Sequence, residues 1–143
     1  MKWYLKKFNQ LTTRELFDIY YYRVQTYIVA QKRIYQGVDR IDLRAYHLYA
    51  INQNHQLVAY ARFFTSGDNI SFGRVLVIPE FRGKGFGQSL IQHLLMNIKK
   101  VYGRQRIVIM SQYDKRNFYK KFGFRIISHP LIFNKTKHVK MAR

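Results

Sequence analysis

Six consecutive residues, Arg82-Gly83-Lys84-Gly85-Phe86-Gly87, carry the strongest chemical signal in the chain. Glycine at 83, 85 and 87 lets the backbone approach a ligand closely and turns successive amides into one hollow. A helix opening at that point adds unpaired N–H groups and the positive end of its dipole. Arg82 and Lys84 contribute full charges. The combination predicts a cradle for phosphate groups. Two common phosphate loops are excluded by spelling. A dinucleotide fingerprint requires G-x-G-x-x-G, but position 88 is Gln, and G-x-x-x-x-G-K-[ST] occurs nowhere. What the chain does contain is [QR]-x-x-G-x-[GA], written Arg82-x-x-Gly85-x-Gly87.

Proton chemistry has few candidates. The chain has seven carboxylates, and three of them look committed to local structure: Glu15 to a helix cap, Asp68 to a turn and Asp114 to a helix start. Asp39, Asp42, Glu80, His47 and His138 remain as possible bases, and the sequence does not choose among them. Arg23, Arg62 and Arg74 lie on segments that read as inner elements. The rigid guanidinium fork of Arg74, beside Gly73, suits a carboxylate. There is no cysteine, so disulfides, thiolate metal sites and cysteine nucleophiles are all excluded.

These residues need elements to hold them. Trp3 to Phe8 reads as an opening strand. Thr12 with Glu15 is a capping-box pair, starting a helix with apolar positions at Leu16, Ile19, Tyr20, Val24 and Tyr27. Residues 31–46 read as loop or short helix. His47–Ile51, Leu57–Thr65 and Ile70–Ile78, separated by turn-rich tetrads, predict an antiparallel meander. Gly87–Val101 is a helix with Leu90, Ile91, Leu94, Leu95 and Ile98 inward, ended by Gly103. Arg106–Met110 and Gly123–Ser128 read as strands around a short helix, 114–122, with a last strand at His138–Met141. The expected fold is α/β of the α+β kind: one mixed, mostly antiparallel sheet of about six to seven strands flanked by about four helices, in a single domain over 1–143.

The loop spelling resembles the pyrophosphate loop of the GNAT superfamily of N-acetyltransferases. Phe118-Tyr119-Lys120-Lys121-Phe122-Gly123-Phe124 is similar to that superfamily's closing block, a helix carrying Tyr followed by Gly-Phe. A closer likeness to the ElaA-like branch runs from about residue 16 to the C-terminus. It is carried by Arg23, Tyr27-Ile28-Val29-Ala30-Gln31, Tyr35, Asp39, Asp42, His47-Leu48, Ala59-Tyr60-Ala61-Arg62, Gly73-Arg74-Val75, Gln112 and His138-Val139-Lys140-Met141. One departure is Ala30, where the branch usually has Glu.

The resemblance implies acetyl-CoA as co-substrate, no metal, and a small-molecule primary amine as acceptor, such as an amino acid or another carboxylate-bearing amine. It assigns the donor to Leu76, Val77, Arg82, Gly83, Lys84, Gly85, Phe86, Gly87, Gln88, Gln112, Asn117 and Tyr119. Leu76-Val77 would pair with the pantetheine arm, the Val77 N–H would receive the developing oxyanion, and Tyr119 would give a proton to the departing thiolate. Arg23, Gln31, Asp39, His47, Arg74 and His138 would line the acceptor pocket.

Composition sets the outer bounds. With 143 residues, 48% hydrophobic and 17% aromatic, the chain is a folding domain rather than a disordered one. No apolar run reaches the length of a signal peptide or a membrane helix, which predicts a cytoplasmic protein with no membrane partner. Lys and Arg number 26 against 7 Asp and Glu, a formal charge of +19 that attracts polyanions. A nucleic-acid-binding module is therefore the rival reading, and a non-catalytic acetyl-CoA binder a third. No recognised nucleic-acid motif is present, so polyanion binding is expected to be non-specific.

Overall fold

The computed structural model describes all 143 residues, and no helix in it is long and apolar enough to cross a membrane. The α+β class and the mostly antiparallel pairing are as the sequence predicts. The strands number eight rather than six or seven, and they form two sheets rather than one. β1 (Lys2–Lys7), β2 (Tyr46–Ile51), β3 (Leu57–Ser66) and β4 (Asn69–Val77) make an antiparallel sheet in chain order. In the second sheet β8 (Thr136–Ala142) pairs on one edge with β5 (Val108–Gln112), and on the other with β6 (Arg125–Ile126) and β7 (Leu131–Phe133).

Four helices flank the sheets: α1 (Thr13–Val24), α2 (Ile41–Arg44), α3 (Phe86–Tyr102) and α4 (Arg116–Lys120). The capping box forms: Thr12 Oγ1 accepts from the Glu15 N–H at 3.1 Å, and the Glu15 carboxylate accepts from the Thr12 N–H at 2.8 Å. Glu15 also receives Lys6 Nζ and the Tyr49 hydroxyl, so one carboxylate ties α1 to β1 and β2. α1 does not end cleanly. It widens into a π-turn, Gln25–Val29, in which the Ala30 N–H reaches back to the Gln25 carbonyl at 2.9 Å.

α3 holds the two sheets together. Leu90, Ile91, Leu94 and Ile98 pack against Val58, Ala59, Ala61 and Phe63 of β3, and against Ile109, Val139 and Met141 of the second sheet. Each such side chain is worth about 1.5–3 kcal/mol over exposure. Leu95, expected inward, is only half-buried. The strand at 106–110 begins two residues later, and the one at 123–128 contracts to two residues. β7 has no counterpart in the sequence reading. Its hairpin turns on Asn134 and Lys135, both at positive φ (50° and 66°), a two-residue type I′ geometry that normally advertises itself as Asn-Gly.

The sheets join edge to edge at one point. The Ile70 N–H donates to the Arg106 carbonyl at 3.0 Å, and Ile70 and Ile107 form an isolated parallel bridge. Beyond it β4 and β5 make no further pairs, leaving a gap between them.

Candidate active site

A cavity of about 760 Å³ fills that gap, lined on one side by 71–77 of β4 and on the other by 109–112 of β5. The glycine loop, residues of the 26–41 segment and residues of the β7–β8 hairpin complete its lining.

A bulge in β4 sets which groups face the gap. Tyr60 pairs with Leu76 and Arg62 with Gly73, so Ala61 stands opposite both Arg74 and Val75. Arg74 carries the extra residue at φ +52°, a left-handed conformation that costs a non-glycine residue about 1–2 kcal/mol. One inserted residue exchanges the two faces of a strand. Ile70 and Phe72 accordingly pack with the α3 core, whereas Leu76 and Ile78 pack with Ile19 of α1. Further along, the Ile78 N–H donates to the Val58 carbonyl at 2.9 Å. Alternation of the ladder then turns the Val77 peptide groups away from β3 and into the gap. The Val77 carbonyl accepts from Arg82 Nε at 3.0 Å, and the Val77 N–H has no partner.

At the loop, Gly83 and Gly85 adopt φ +78° and +83°, which side-chain-bearing residues resist. Gly85 is the N-cap of α3 and supplies no side-chain acceptor, so the amides of Phe86, Gly87 and Gln88 are left unpaired at the positive end of a 17-residue helix. Arg82, Gly83, Gly85, Phe86 and Gly87 line the cavity with Leu76 and Val77. Lys84 and Gln88 point away, both exposed, although the Gln88 amide belongs to the same array. Asn117 is exposed on α4 and does not line the cavity.

Tyr119 does. It is 8% exposed, wedged among Phe72, Phe118 and Phe124, and its hydroxyl has no protein partner. Burial, reinforced by Tyr27 nearby, pushes the phenol well above its ordinary value. The expected proton donation turns on relative acidity. A phenol near 10 ordinarily holds its proton more tightly than a thiol near 8.5. Full transfer from Tyr119 to a free thiolate is uphill, whereas hydrogen-bond donation to the sulfur is not. Tyr27, also on the cavity wall, donates its hydroxyl to the Val75 carbonyl.

Two residues expected in the acceptor pocket stand outside it. Arg23 is sealed beneath the floor, where it pairs with both oxygens of Asp42 (2.6 and 3.1 Å) and with the Gly37 carbonyl at 2.8 Å. His47 is fully buried between the Tyr60 hydroxyl and the Asp42 carbonyl, at 2.7 and 2.9 Å. Both organise a buried chain of charges. Arg62 bridges Asp42 (2.8 Å) and Asp39 (2.6 Å), and Arg74 lies 3.5 Å from Asp39. Burial works against the charges of Asp39 and Asp42, but the arginines outweigh it and hold both carboxyls below their ordinary value. Carboxylates held in that way are poor bases, and Glu80 lies off the cavity altogether.

Asp39, Arg74, Gln31, Gln112 and His138 line the cavity. Gln112 Nε2 donates to Gln31 Oε1 at 3.1 Å, joining β5 to the 26–41 segment. His138 Nδ1 lies 2.8 Å from the Thr136 carbonyl. A carbonyl only accepts, so Nδ1 carries the proton and Nε2 keeps a free lone pair. Burial lowers the pKa of His138, which keeps the ring neutral near pH 7. Arg33, 5% exposed and facing the cavity, had no sequence signal: it stands in an aperiodic stretch among other basic residues.

The fold and the splayed strands define a class, and the comparisons agree. Residues 22–143 match the acetyltransferase (GNAT) domain, and the chain belongs to that family, whose members draw on CoA-linked acyl donors. It is similar to a UPF0039 protein of Schizosaccharomyces pombe, 36% identical, covering 95% of this chain and 92% of that one. ElaA of Escherichia coli is 28% identical over the full length, and its crystal structure superposes with a TM-score of 0.93, covering 100% of this chain and 99% of that one. An acyl-CoA N-acyltransferase from Pseudomonas aeruginosa, 27% identical, also superposes with a TM-score of 0.93, covering 99% and 98% of the two chains.

Proposed function

We propose that the protein transfers the acetyl group of acetyl-CoA to the primary amine of a small acceptor by direct attack. The observation that carries this reading is the unpaired Val77 N–H, facing the gap beside the free amides of α3. In this arrangement the amides of Phe86, Gly87 and Gln88, with Arg82, hold the pyrophosphate. The pantetheine arm lies along β4, and the thioester carbonyl points at Val77. The acceptor nitrogen then attacks the carbonyl carbon while the oxygen gains charge against the Val77 N–H. The C–S bond breaks with its electron pair going to sulfur, where the Tyr119 hydroxyl donates a hydrogen bond. The nitrogen sheds one proton to Nε2 of His138, and that proton, passed on from the imidazolium, ends on the sulfur as the thiol.

Asp39, Arg74 and Gln31 face the acceptor in this reading, with the chain acting as a catalyst rather than as a polyanion-binding module. Release of free thiol from acetyl-CoA, followed across a library of amines, tests it. Amine-dependent thiol release is expected. Tight binding of acetyl-CoA with no thiol released by any amine would overturn the transferase reading in favour of a non-catalytic binder.

A further inference from the structure

Four guanidinium groups gather at the 26–41 segment, Arg33, Arg62 and Arg74 on the cavity wall and Arg23 beneath it, with only two carboxylates among them. Arg23 and Arg62 take the short contacts to Asp42 and Asp39, all between 2.6 and 3.1 Å. Arg74 reaches Asp39 only at 3.5 Å, and Arg33 has no carboxylate partner at all. Two positive charges are therefore left over, both on the cavity wall.

The hydrogen-bond inventory points the same way. Arg33 spends Nε on the Asn134 carbonyl and Nη1 on Gln31 Oε1, each at 2.8 Å, and nothing accepts from Nη2. Arg74 spends Nε on the Gly37 carbonyl at 3.3 Å, and nothing accepts from Nη1. Neither idle nitrogen is walled off; the buried, partnerless side-chain nitrogens are those of Arg23 and Arg62. Both side chains rest on one ring. The Arg33 and Arg74 guanidinium carbons lie 4.4 and 5.6 Å from the Tyr35 centroid, which puts them at most 10 Å apart. An anionic group hydrogen-bonded to each at about 2.8 Å spans such a distance. Burial and the like charge of Arg62 press against the charge of Arg74, the mark of a positive site short of an anion.

We infer that the acceptor is an amine that also carries a carboxylate, and that Arg33 and Arg74 bind that carboxylate while its nitrogen faces the thioester at Val77. The site is rigid by construction. Arg74 is carried by the β4 bulge, and Arg33 is held by Gln31 of its own segment and by the Asn134 carbonyl in the turn of the β7–β8 hairpin. The Gly85 loop has its own anion array, built from different residues, so the two subsites do not compete. Free amino acids are the simplest molecules with the required pair of groups.

The inference rests on the acyltransferase reading, and the test separates the two. Thiol release from acetyl-CoA is measured with the common amino acids, their carboxamides, the matching decarboxylated amines, and phosphoethanolamine. One or more amino acids should be used with a kcat/KM about 10- to 100-fold above the carboxamide, the worth of hydrogen bonds to a charged group. Arg33→Gln and Arg74→Gln should erase that preference while thermal stabilisation by acetyl-CoA is retained. Arg33→Lys, which keeps the charge but not the fork, should restore part of it. Equal use of acid and carboxamide by the unaltered protein overturns the inference, and this comparison needs no variant to fold. So does preference for a decarboxylated amine or for phosphoethanolamine; in either case acyl transfer stands and only the carboxylate falls. Thiol release by no amine at all removes the transferase reading and the inference with it.

Discussion

Tyr119 and His138 divide the proton traffic in the proposed reaction, and each is separable by a single substitution. Tyr119→Phe keeps the ring among Phe72, Phe118 and Phe124 and deletes only the hydroxyl. We expect kcat to fall about 100-fold with acetyl-CoA binding unchanged, the pattern of a hydrogen bond made chiefly in the transition state. A variant within a few-fold would show that Tyr119 only packs. His138→Gln should remove an acid limb from the pH profile of kcat/KM. That limb lies below 6.5, because the ring must be neutral to accept a proton and burial lowers its pKa. Asp42 answers to stability instead. It is 1% exposed between two buried guanidiniums. Asp42→Asn leaves Arg23 with no carboxylate and Arg62 with Asp39 alone, which should cost about 3–5 kcal/mol, read from the urea midpoint. The sequence showed Arg23, Asp42 and His47 as candidates for chemistry because residue type carries no depth: a buried ion pair and a substrate clamp are spelled alike.

At the scale of elements, the glycine loop with α3 was legible in full, since both the backbone freedom and the helix start are written in local residue types. Gly85→Asp tests it. The added Cβ meets nothing within 4 Å, so the fold pays only the left-handed backbone term of about 1–2 kcal/mol. The carboxylate, however, enters the amide array. Stabilisation by acetyl-CoA, about 2.7 kcal/mol for unaltered protein at a hundredfold excess over Kd, should vanish in a thermal-shift titration. The 25–44 segment was not legible. Its π-turn and loop path are set by what they cover, through Arg33 to Asn134 and Gln31 to Gln112, and such long-range contacts leave no periodicity. The β4 bulge was equally silent, because a left-handed arginine has no sequence mark.

For the whole molecule, the shifted carboxylates and histidines act in one direction. Glu15, Asp39, Asp42, His47 and His138 all have folded-state values below their ordinary ones. For each, the unfolded chain binds protons first on acidification, so stability is complete above the ordinary value and is lost as pH falls. The histidine share should go as pH drops below 6.5 and the carboxylate share below about 4.5. Urea midpoints at pH 7.5, 5.5 and 4 should fall in that order, and His47→Asn should flatten the first interval. A midpoint rising toward pH 5.5 would contradict the buried neutral assignment. The +19 charge adds self-repulsion on the same side.

The single bridge at Ile70 and Ile107 has a consequence for isotope exchange. Strand amides are ordinarily protected by their ladder, yet Val77 stands inside a strand with its N–H turned to an empty gap. In free protein that amide should trade its hydrogen for deuterium far faster than that of Ile78 one residue on, which is locked to Val58. A donor lying along β4 would act as the missing neighbour strand and slow it. The backbone thus carries its own occupancy gauge, at the atom assigned to the oxyanion.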